Sequence, residues 1–234
     1  MPYSWEIDHV AAILRSPSLV AEYDFWLELS VFGVPYAAND EVAGCAGRSD
    51  VFRGSVSLRS DSTVAHRDVD VLLPIAFEEA FNDYQAGASD QLGATEKTLS
   101  FTLDDSLEDA EIVLIVSHHG ANSGGEEYER REHFVSLDGE PALEFTPGRM
   151  SCEPFRKYNT LGNGIYGPGP RSDSEWETFS NWCPGDVIDI RRIPWGSAAA
   201  GSHELFIDVP QAFFTGDEGN FPLSIFVLGQ SVSP

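Results

Sequence analysis

Short β-type segments separated by turn residues are the feature that most constrains the fold of this 234-residue chain. Runs rich in Val, Ile, Leu and Phe, such as VIDIRRI, ELFIDV and LSIFVLG, alternate with stretches rich in Gly, Pro and Asp. Segments with helical periodicity are few. Closely spaced short strands with little helix are typical of a β-sandwich or jelly roll, so we predict an all-β fold of that class.

Individual segments carry more specific signals. Residues 98–103 alternate between polar and apolar side chains, which indicates a half-buried strand. Residues 112–116 are continuously apolar, as expected for a strand covered on both faces. Asp138-Gly139 predicts a tight hairpin turn after an extended segment over residues 128–137. Residues 75–86 weakly favour a short amphipathic helix, with an irregular excursion as the alternative.

Near the N-terminus, residues 19–32 alternate strongly and predict another half-buried strand. Asp24 and Trp26 share its polar face, and a carboxylate beside an aromatic ring is a common sugar-binding pair. The alternative is an ordinary edge strand with a partly buried Trp. The following stretch is rich in Gly, Asn and Ala and predicts a linker.

The charge of the chain excludes several classes of partner. The formal net charge is −24, which repels phosphate backbones and anionic lipid, so we expect neither nucleic acid nor membrane as a partner. No apolar stretch is long enough to span a bilayer, and the first residues do not resemble a signal peptide. A neutral ligand such as a glycan is compatible with this surface.

Most of the chemistry-bearing side chains lie in one stretch, SHHGANSGGEEYERREHFVSLDG. If residues 127–133 are extended, Glu127, Glu129, Arg131 and His133 share a face. A carboxylate at the mouth of a Gly-rich loop, flanked by Arg and His, can hold water or an amide. The alternative is a solvated edge strand with several ion pairs.

The tandem histidines His118 and His119, together with His133, invite comparison with copper and zinc sites. Adjacent residues of a strand point to opposite faces, however, so these two do not readily bind one ion. We therefore expect no metal at these histidines. The alternative to a metal site is that the loop histidines are hydrogen-bonded to the backbone or to water.

The chain has three cysteines, Cys45, Cys152 and Cys183, and an odd count suggests one disulfide and one leftover thiol. Cys152 and Cys183 bracket the long irregular segment of residues 146–184. A disulfide between them would stabilise the fold by about 3 to 4 kcal/mol on the loop-entropy estimate. Two unpaired buried thiols are the alternative.

Taken in order, the segments SHHG, GGEEYERREHFVSLDG, MSCEP and NWCPGDVIDIRRI resemble the peptide-N-glycosidase F family. That family has a small-residue/His loop, a Glu followed by an aromatic, Arg-x-His, a hairpin, a Cys, and a long loop closing with Trp-Cys-Pro-Gly. The matching residues here are Glu127, Tyr128, Arg131, His133, Cys152, Trp182, Cys183, Pro184 and Gly185. Upstream, LVAEYDFW is similar to the strand that carries the family's second carboxylate and a Trp, which places Asp24 and Trp26 at those positions.

The resemblance implies two tandem jelly-roll domains, with the active site at their interface. We therefore expect residues 1–35 to be a remnant of the first domain, 36–50 a linker and 51–230 the second domain. The implied reaction is cofactor-free hydrolysis of the amide that links an N-glycan to asparagine in a glycopeptide or glycoprotein. The implied protein is a monomer, secreted or periplasmic as part of a longer precursor.

The same resemblance implies roles for individual residues. Glu127 would hold water and substrate, with Asp24 assisting as the second carboxylate. Arg131 and His133 would position Glu127 by hydrogen bonds. The residues expected to bind the substrate are Trp26, Trp182, Arg131, His133 and His119.

Three departures from the family pattern affect these expectations. The family's principal catalytic aspartate would lie before Met1. Gly125 and Glu129 occupy the positions of a disulfide that flanks the Glu in the best-known member. Phe179 replaces an Arg, for which Arg171 could substitute from within the loop.

The sequence thus leaves three functions open. The leading one is a peptide-N-glycosidase-like amidase that is incomplete as written. The first alternative is a non-catalytic glycan- or glycoprotein-binding module on the same sandwich. The second is a copper monooxygenase-like protein, since a related jelly-roll pair hosts that chemistry; it requires several His and Met ligands, and this chain has six His and two Met.

Overall fold

The computed structural model describes residues 3–30, 46, 54–60, 69–86, 88–120, 124–158, 172, 181–183 and 185–232. The chain divides into two compact units. The first comprises Met1–Ile13 and Asp68–Pro234, and the second comprises Leu14–Arg67.

The described residues of the first unit form eight antiparallel strands in two four-stranded sheets. The strands are β1 (Val71–Glu79), β2 (Glu96–Leu103), β3 (Leu107–Val116), β4 (His133–Leu137), β5 (Glu140–Phe145), β6 (Ile190–Ala198), β7 (Gly201–Asp208) and β8 (Leu223–Ser231). The predicted strands over residues 98–103, 112–116 and the three C-terminal segments are confirmed.

The sheet topology is that of a jelly roll. One sheet has the order β1-β8-β3-β6 and the other β2-β7-β4-β5. Strands β4 and β5 form a hairpin within one sheet, whereas the other consecutive strands lie in different sheets. This order arises when a long antiparallel ribbon, with β4 and β5 at its tip, wraps around a core. The predicted all-β jelly-roll sandwich is confirmed.

The core lies between the sheets and follows the alternation of each strand. Leu99 and Phe101 of β2, for example, face Ile112 and Leu114 of β3 in one cluster of buried side chains. Strand β3 is also covered on its outer face, where Val113 packs in a separate cluster with Val69 and Leu228. The continuous apolar run of this strand is explained by burial on both faces.

The hairpin turn predicted at Asp138-Gly139 is confirmed. Both residues have positive φ, 53° and 81°, which is the pattern of a type I′ turn. The turn places Leu137 of β4 opposite Glu140 of β5, and a register shift between Val135 and Ser136 then brings His133 opposite Phe145.

The helix considered for residues 75–86 is wrong. Only residues 75–79 belong to the edge strand β1, which pairs with β8 and is bulged after Pro74. Pro is tolerated on an edge strand because no ladder partner needs its missing N–H. The rest is irregular, as the alternative anticipated, and Asn82 Oδ1 accepts the N–H groups of Tyr84 and Gln85 there.

The strand predicted over residues 19–32 is also wrong over its described part, residues 19–30. Helix α1 (Asp8–Arg15) precedes helix α2 (Pro17–Glu22), and residues 23–30 are exposed and without regular structure. Ser16 caps α2 and Pro17 occupies its first turn, which is a helix-start signal. An alternating segment needs a neighbouring strand to complete its ladder, and none of the described residues pairs with this one.

Several expectations concern residues outside the described ranges. They include most of the linker, Cys45, Phe179 and Arg171. The division into an N-terminal remnant, a linker and a C-terminal domain stays a prediction. Within the described part of the chain, no helix has the length and apolar character needed to cross a membrane.

Candidate active site

Two loops that are distant in sequence touch at one end of the sandwich. The first follows β3 and the second precedes β8. His119 and Asn220 exchange backbone hydrogen bonds, with N···O distances of 3.0 and 3.1 Å. Thr215 N–H donates to Gly124 O at 2.9 Å. The Gly-rich loop noted in the sequence is therefore fastened to its neighbour by backbone contacts.

Gly125 permits the first loop to fold onto itself. A Cβ atom at this position would lie 2.0 Å from the carbonyl oxygen of Gly120. A side chain cannot be accommodated at that distance because the obstacle is backbone. The close approach brings Glu127 N–H to Gly120 O at 3.3 Å.

Glu127 is held by this folded loop. Its Oε2 accepts a hydrogen bond from the backbone N–H of Gly120 at 3.1 Å, and the residue is 7% exposed. A carboxylate with one oxygen fixed by a backbone N–H keeps a defined direction for its other lone pairs. Such a group can accept a hydrogen bond from a water molecule or from an amide N–H.

The neighbouring Glu126 has a different role in the loop. It is 2% exposed, and its carboxylate accepts hydrogen bonds from Arg131 Nε at 2.7 Å and Arg131 Nη2 at 3.1 Å. The backbone N–H of Phe213 also donates to it at 2.9 Å. The hydrogen bond that Arg131 donates to Glu126 raises the pKa of Arg131. Glu126 thus links Arg131, which lies just before β4, to Phe213 in the segment before β8.

This arrangement corrects the expected shared face of Glu127, Glu129, Arg131 and His133. The chain turns at Glu126, since Glu129 N–H donates to Glu126 O at 3.3 Å, so the alternation of a strand does not apply there. Arg131 is directed to Glu126, and it also lies 4.0 Å from Glu129. The predicted pairing of Arg131 with Glu127 is therefore wrong.

His133 lies in the core, with 1% of its surface exposed. Its Nδ1 is 2.9 Å from Arg131 O, which can only accept, so Nδ1 carries the proton. Its Nε2 then accepts from His118 Nε2, at 3.2 Å. Burial lowers the pKa of His133 to about 4 and lowers that of His118 well below 6.5. The pair is neutral near pH 7 and fixes the backbone of Arg131.

His118 and His119 point in opposite directions, as expected for adjacent extended residues. His118 is buried against Phe221, with ring centroids 4.4 Å apart, whereas His119 is exposed and lies 3.0 Å from Ser117 Oγ. Among the residues with described positions, no group of three or more metal-ligating side chains is found.

The disulfide between Cys152 and Cys183 is confirmed, with its Cα atoms 5.3 Å apart. It is buried against Tyr128, Phe155 and Trp182. Trp182 also borders a cavity of about 20 Å³, roughly the space for one water molecule, with His118 and Arg191 on its wall. Trp182, which the sequence predicts to contact the glycan, therefore packs against the same disulfide as Tyr128, the residue that follows Glu127.

Asn181 is a site residue that the sequence reasoning missed. Its side-chain nitrogen lies 2.9 Å from Glu126 O, 2.7 Å from Glu127 O and 2.9 Å from Glu129 O. Its backbone N–H donates to Glu127 O at 3.3 Å. The one available signal was its position in NWCPG, two residues before Cys183.

Asp24 and Trp26 belong to the second compact unit. Both lie in the exposed segment after α2, and Trp26 is 91% exposed. The structure brings Glu127, Arg131, Trp182 and the disulfide together within the first unit. The part played by Asp24 and Trp26 stays a prediction.

The fold and the site define a jelly-roll sandwich that carries a backbone-held carboxylate on loops at one end. Residues 88–228 match the family model "Peptide-N-glycosidase F, C terminal". Since this match covers more than half of the chain, the protein belongs to the peptide-N-glycosidase F family through its C-terminal domain.

Two solved structures are similar to this chain. PNGF-II in its C2 crystal form is 26% identical, with a TM-score of 0.54, over 71% of this chain and 31% of that chain. PNGase F from Flavobacterium meningosepticum, a glycosylasparaginase, is 16% identical with a TM-score of 0.47, over 70% of this chain and 52% of that chain. The chain therefore spans about a third of the length of PNGF-II. A comparison with curated proteins gave no significant match.

Proposed function

We propose that the protein is a peptide-N-glycosidase-like amidase that acts on the bond between an N-glycan and asparagine. The observation that carries this proposal is the placement of Glu127. It lies within the matched region, residues 88–228, and the Gly120 N–H holds its carboxylate in the loop. The chemistry needs no cofactor.

The proposed reaction is amide hydrolysis. Water adds to the side-chain carbonyl carbon of the glycosylated asparagine, the C–N bond breaks, and the glycosylamine leaves with a proton on nitrogen. Aspartate remains in the peptide. Glu127 accepts a hydrogen bond from the attacking water and orients it toward the carbonyl carbon, which removes part of the entropic barrier.

The other site residues have distinct proposed roles. Asp24 assists as the second carboxylate. Trp26 offers an exposed indole for the apolar face of a sugar, and Trp182 borders the cavity beside the disulfide. His119, exposed at the loop surface, is a further substrate contact. Arg131 and His133 act indirectly, by holding Glu126 and the backbone that leads to it.

The disulfide supports a location in an oxidising compartment. Such bonds persist outside the cytosol, so we propose that the protein is secreted or periplasmic and acts there as a monomer on glycoproteins. The net charge of −24 is compatible with neutral glycans.

A second candidate function is glycan or glycoprotein binding without catalysis. The observation that favours it is the exposure of Trp26, 91%, in a segment that carries an aromatic ring beside a carboxylate. Side chains of this kind bind sugars without any bond being broken.

Incubation with a defined N-glycopeptide separates the two functions. The amidase converts asparagine to aspartate and releases the glycan, which changes the mass of the peptide, and Glu127→Gln abolishes this change. Binding of the glycopeptide with no change in mass, unaffected by Glu127→Gln, supports the binding module and contradicts the amidase.

A further inference from the structure

The side-chain amide of Asn181 donates hydrogen bonds to backbone carbonyl oxygens of the loop that carries Glu127. Three of them, from Glu126, Glu127 and Glu129, lie within 2.7 to 2.9 Å of a single nitrogen. The carbon–oxygen dipoles converge with their negative ends together, so they repel one another unless a donor lies between them. The NH₂ group of Asn181 is that donor.

Asn181 is itself fixed in place. It is 6% exposed, and it lies two residues before Cys183, which the disulfide joins to Cys152. Its backbone N–H donates to Glu127 O. Asn181 therefore connects the segment anchored by the disulfide to the turn that orients the Glu127 side chain.

We propose that Asn181 is the positioning residue of the site: its amide holds the turn of residues 126–129 closed, so that the Glu127 carboxylate stays on the N–H of Gly120. This inference rests on the proposed function of Glu127 for its catalytic consequence, but not for its structural content. Without the NH₂ group the three carbonyls separate, the turn opens, and the contact of Glu127 with Gly120 is lost.

The Gly120 amide proton reports this geometry without any need for activity. An N–H that donates to a carboxylate resonates downfield in a proton–nitrogen NMR spectrum, and Glu127→Gln calibrates the shift. We expect Asn181→Ala to move the Gly120 signal upfield to at least the position seen in Glu127→Gln. Asn181→Asp, which preserves volume and removes the donors, should do the same near pH 7.

Asn82→Ala is the matched control. Asn82 is also buried, at 1% exposure, and its Oδ1 accepts two backbone N–H groups in a separate loop. This variant should lower the melting temperature, as Asn181→Ala does, while leaving the Gly120 signal in place. The comparison distinguishes positioning of Glu127 from general loss of stability.

Glycopeptide hydrolysis completes the test. A misplacement of about 1 Å can cost on the order of 100-fold in rate, so kcat should fall by roughly that factor in Asn181→Ala, with KM little changed. A Gly120 signal that stays at its wild-type position in both Asn181 variants overturns the proposal. A signal that moves while hydrolysis is unaffected leaves the positioning role intact and contradicts the catalytic role of Glu127 instead.

Discussion

At the residue scale, Glu126 and Glu127 are adjacent carboxylates with different environments. Glu126 is enclosed by Arg131 and the Phe213 N–H, whereas Glu127 rests on the Gly120 N–H. Glu126→Gln removes the buried carboxylate that pairs with the partly buried Arg131 guanidinium and leaves the exposed Glu129 carboxylate 4.0 Å away. We expect a loss of about 2 to 4 kcal/mol in the free energy of unfolding, measured by urea denaturation.

Glu127→Gln is the control for that prediction. The glutamine carbonyl can still accept from Gly120, so the change in unfolding free energy should stay below about 1 kcal/mol. Equal losses of stability in the two variants would contradict the division of structural and catalytic roles between the two residues.

The buried pair His118–His133 makes stability depend on acid pH. Burial lowers the folded-state pKa of His133 from 6.5 to about 4, so the unfolded chain binds the proton more tightly. The stabilisation is therefore fully present above about pH 6.5 and is lost as the pH falls toward 4. At about 1.4 kcal/mol per pKa unit, this stabilisation is about 3 to 4 kcal/mol. Thermal unfolding of His133→Gln should show a flatter decline over this range.

His203 provides a control, because its pKa is raised by folding whereas that of His133 is lowered. Burial alone would lower its pKa, but hydrogen bonds to Asp138 Oδ2 and Ala199 O, both at 2.8 Å, outweigh that effect and raise it. Its contribution is present below pH 6.5 and is lost as the pH rises through the raised folded-state pKa. His203→Gln should leave the acid decline unchanged. A wild-type protein equally stable at pH 7 and pH 4.5 would contradict the neutral buried pair.

At the element scale, the β4–β5 hairpin depends on two residues with positive φ. Gly139 has φ 81°, and a Cβ atom there would meet nothing within 4 Å. Gly139→Ala therefore tests backbone conformation without a steric clash, and we expect a loss of about 1 to 2 kcal/mol in the free energy of unfolding. Gly139→Asn should cost less, because Asn tolerates the left-handed region. Equal losses for the two variants would argue against the type I′ turn.

The sequence pattern predicted correctly those elements that depend mainly on neighbouring residues in the chain. The hairpin follows from Asp138-Gly139, and the run over residues 112–116 follows from burial on both faces. Residues 19–30 alternate as a strand does, but alternation describes only a surface suited to a sheet, and Ser16-Pro17 starts a helix instead. For residues 75–79, helix propensity is overridden by pairing with β8, which is a contact distant in sequence.

At the scale of the whole molecule, the site is assembled from segments far apart in the chain. Glu127 was identified through the family resemblance, because nothing in its local pattern distinguishes it from Glu126. The contacts of Asn181 with the loop, and of Thr215 with Gly124, depend on closure of the complete sandwich and on the disulfide. Such contacts have no periodicity, so sequence reasoning could not find them.

We propose that this family member cleaves an amide bond rather than a glycosidic bond. Hydrolysis of an N-glycopeptide in ¹⁸O-labelled water tests it most directly, because water attacks a different carbon in each case. We predict that mass spectrometry will find the label in the side-chain carboxylate of the newly formed aspartate, and that Glu127→Gln will form no labelled product. Label in the released sugar with asparagine retained in the peptide, or labelled aspartate formed equally well by Glu127→Gln, would contradict the claim.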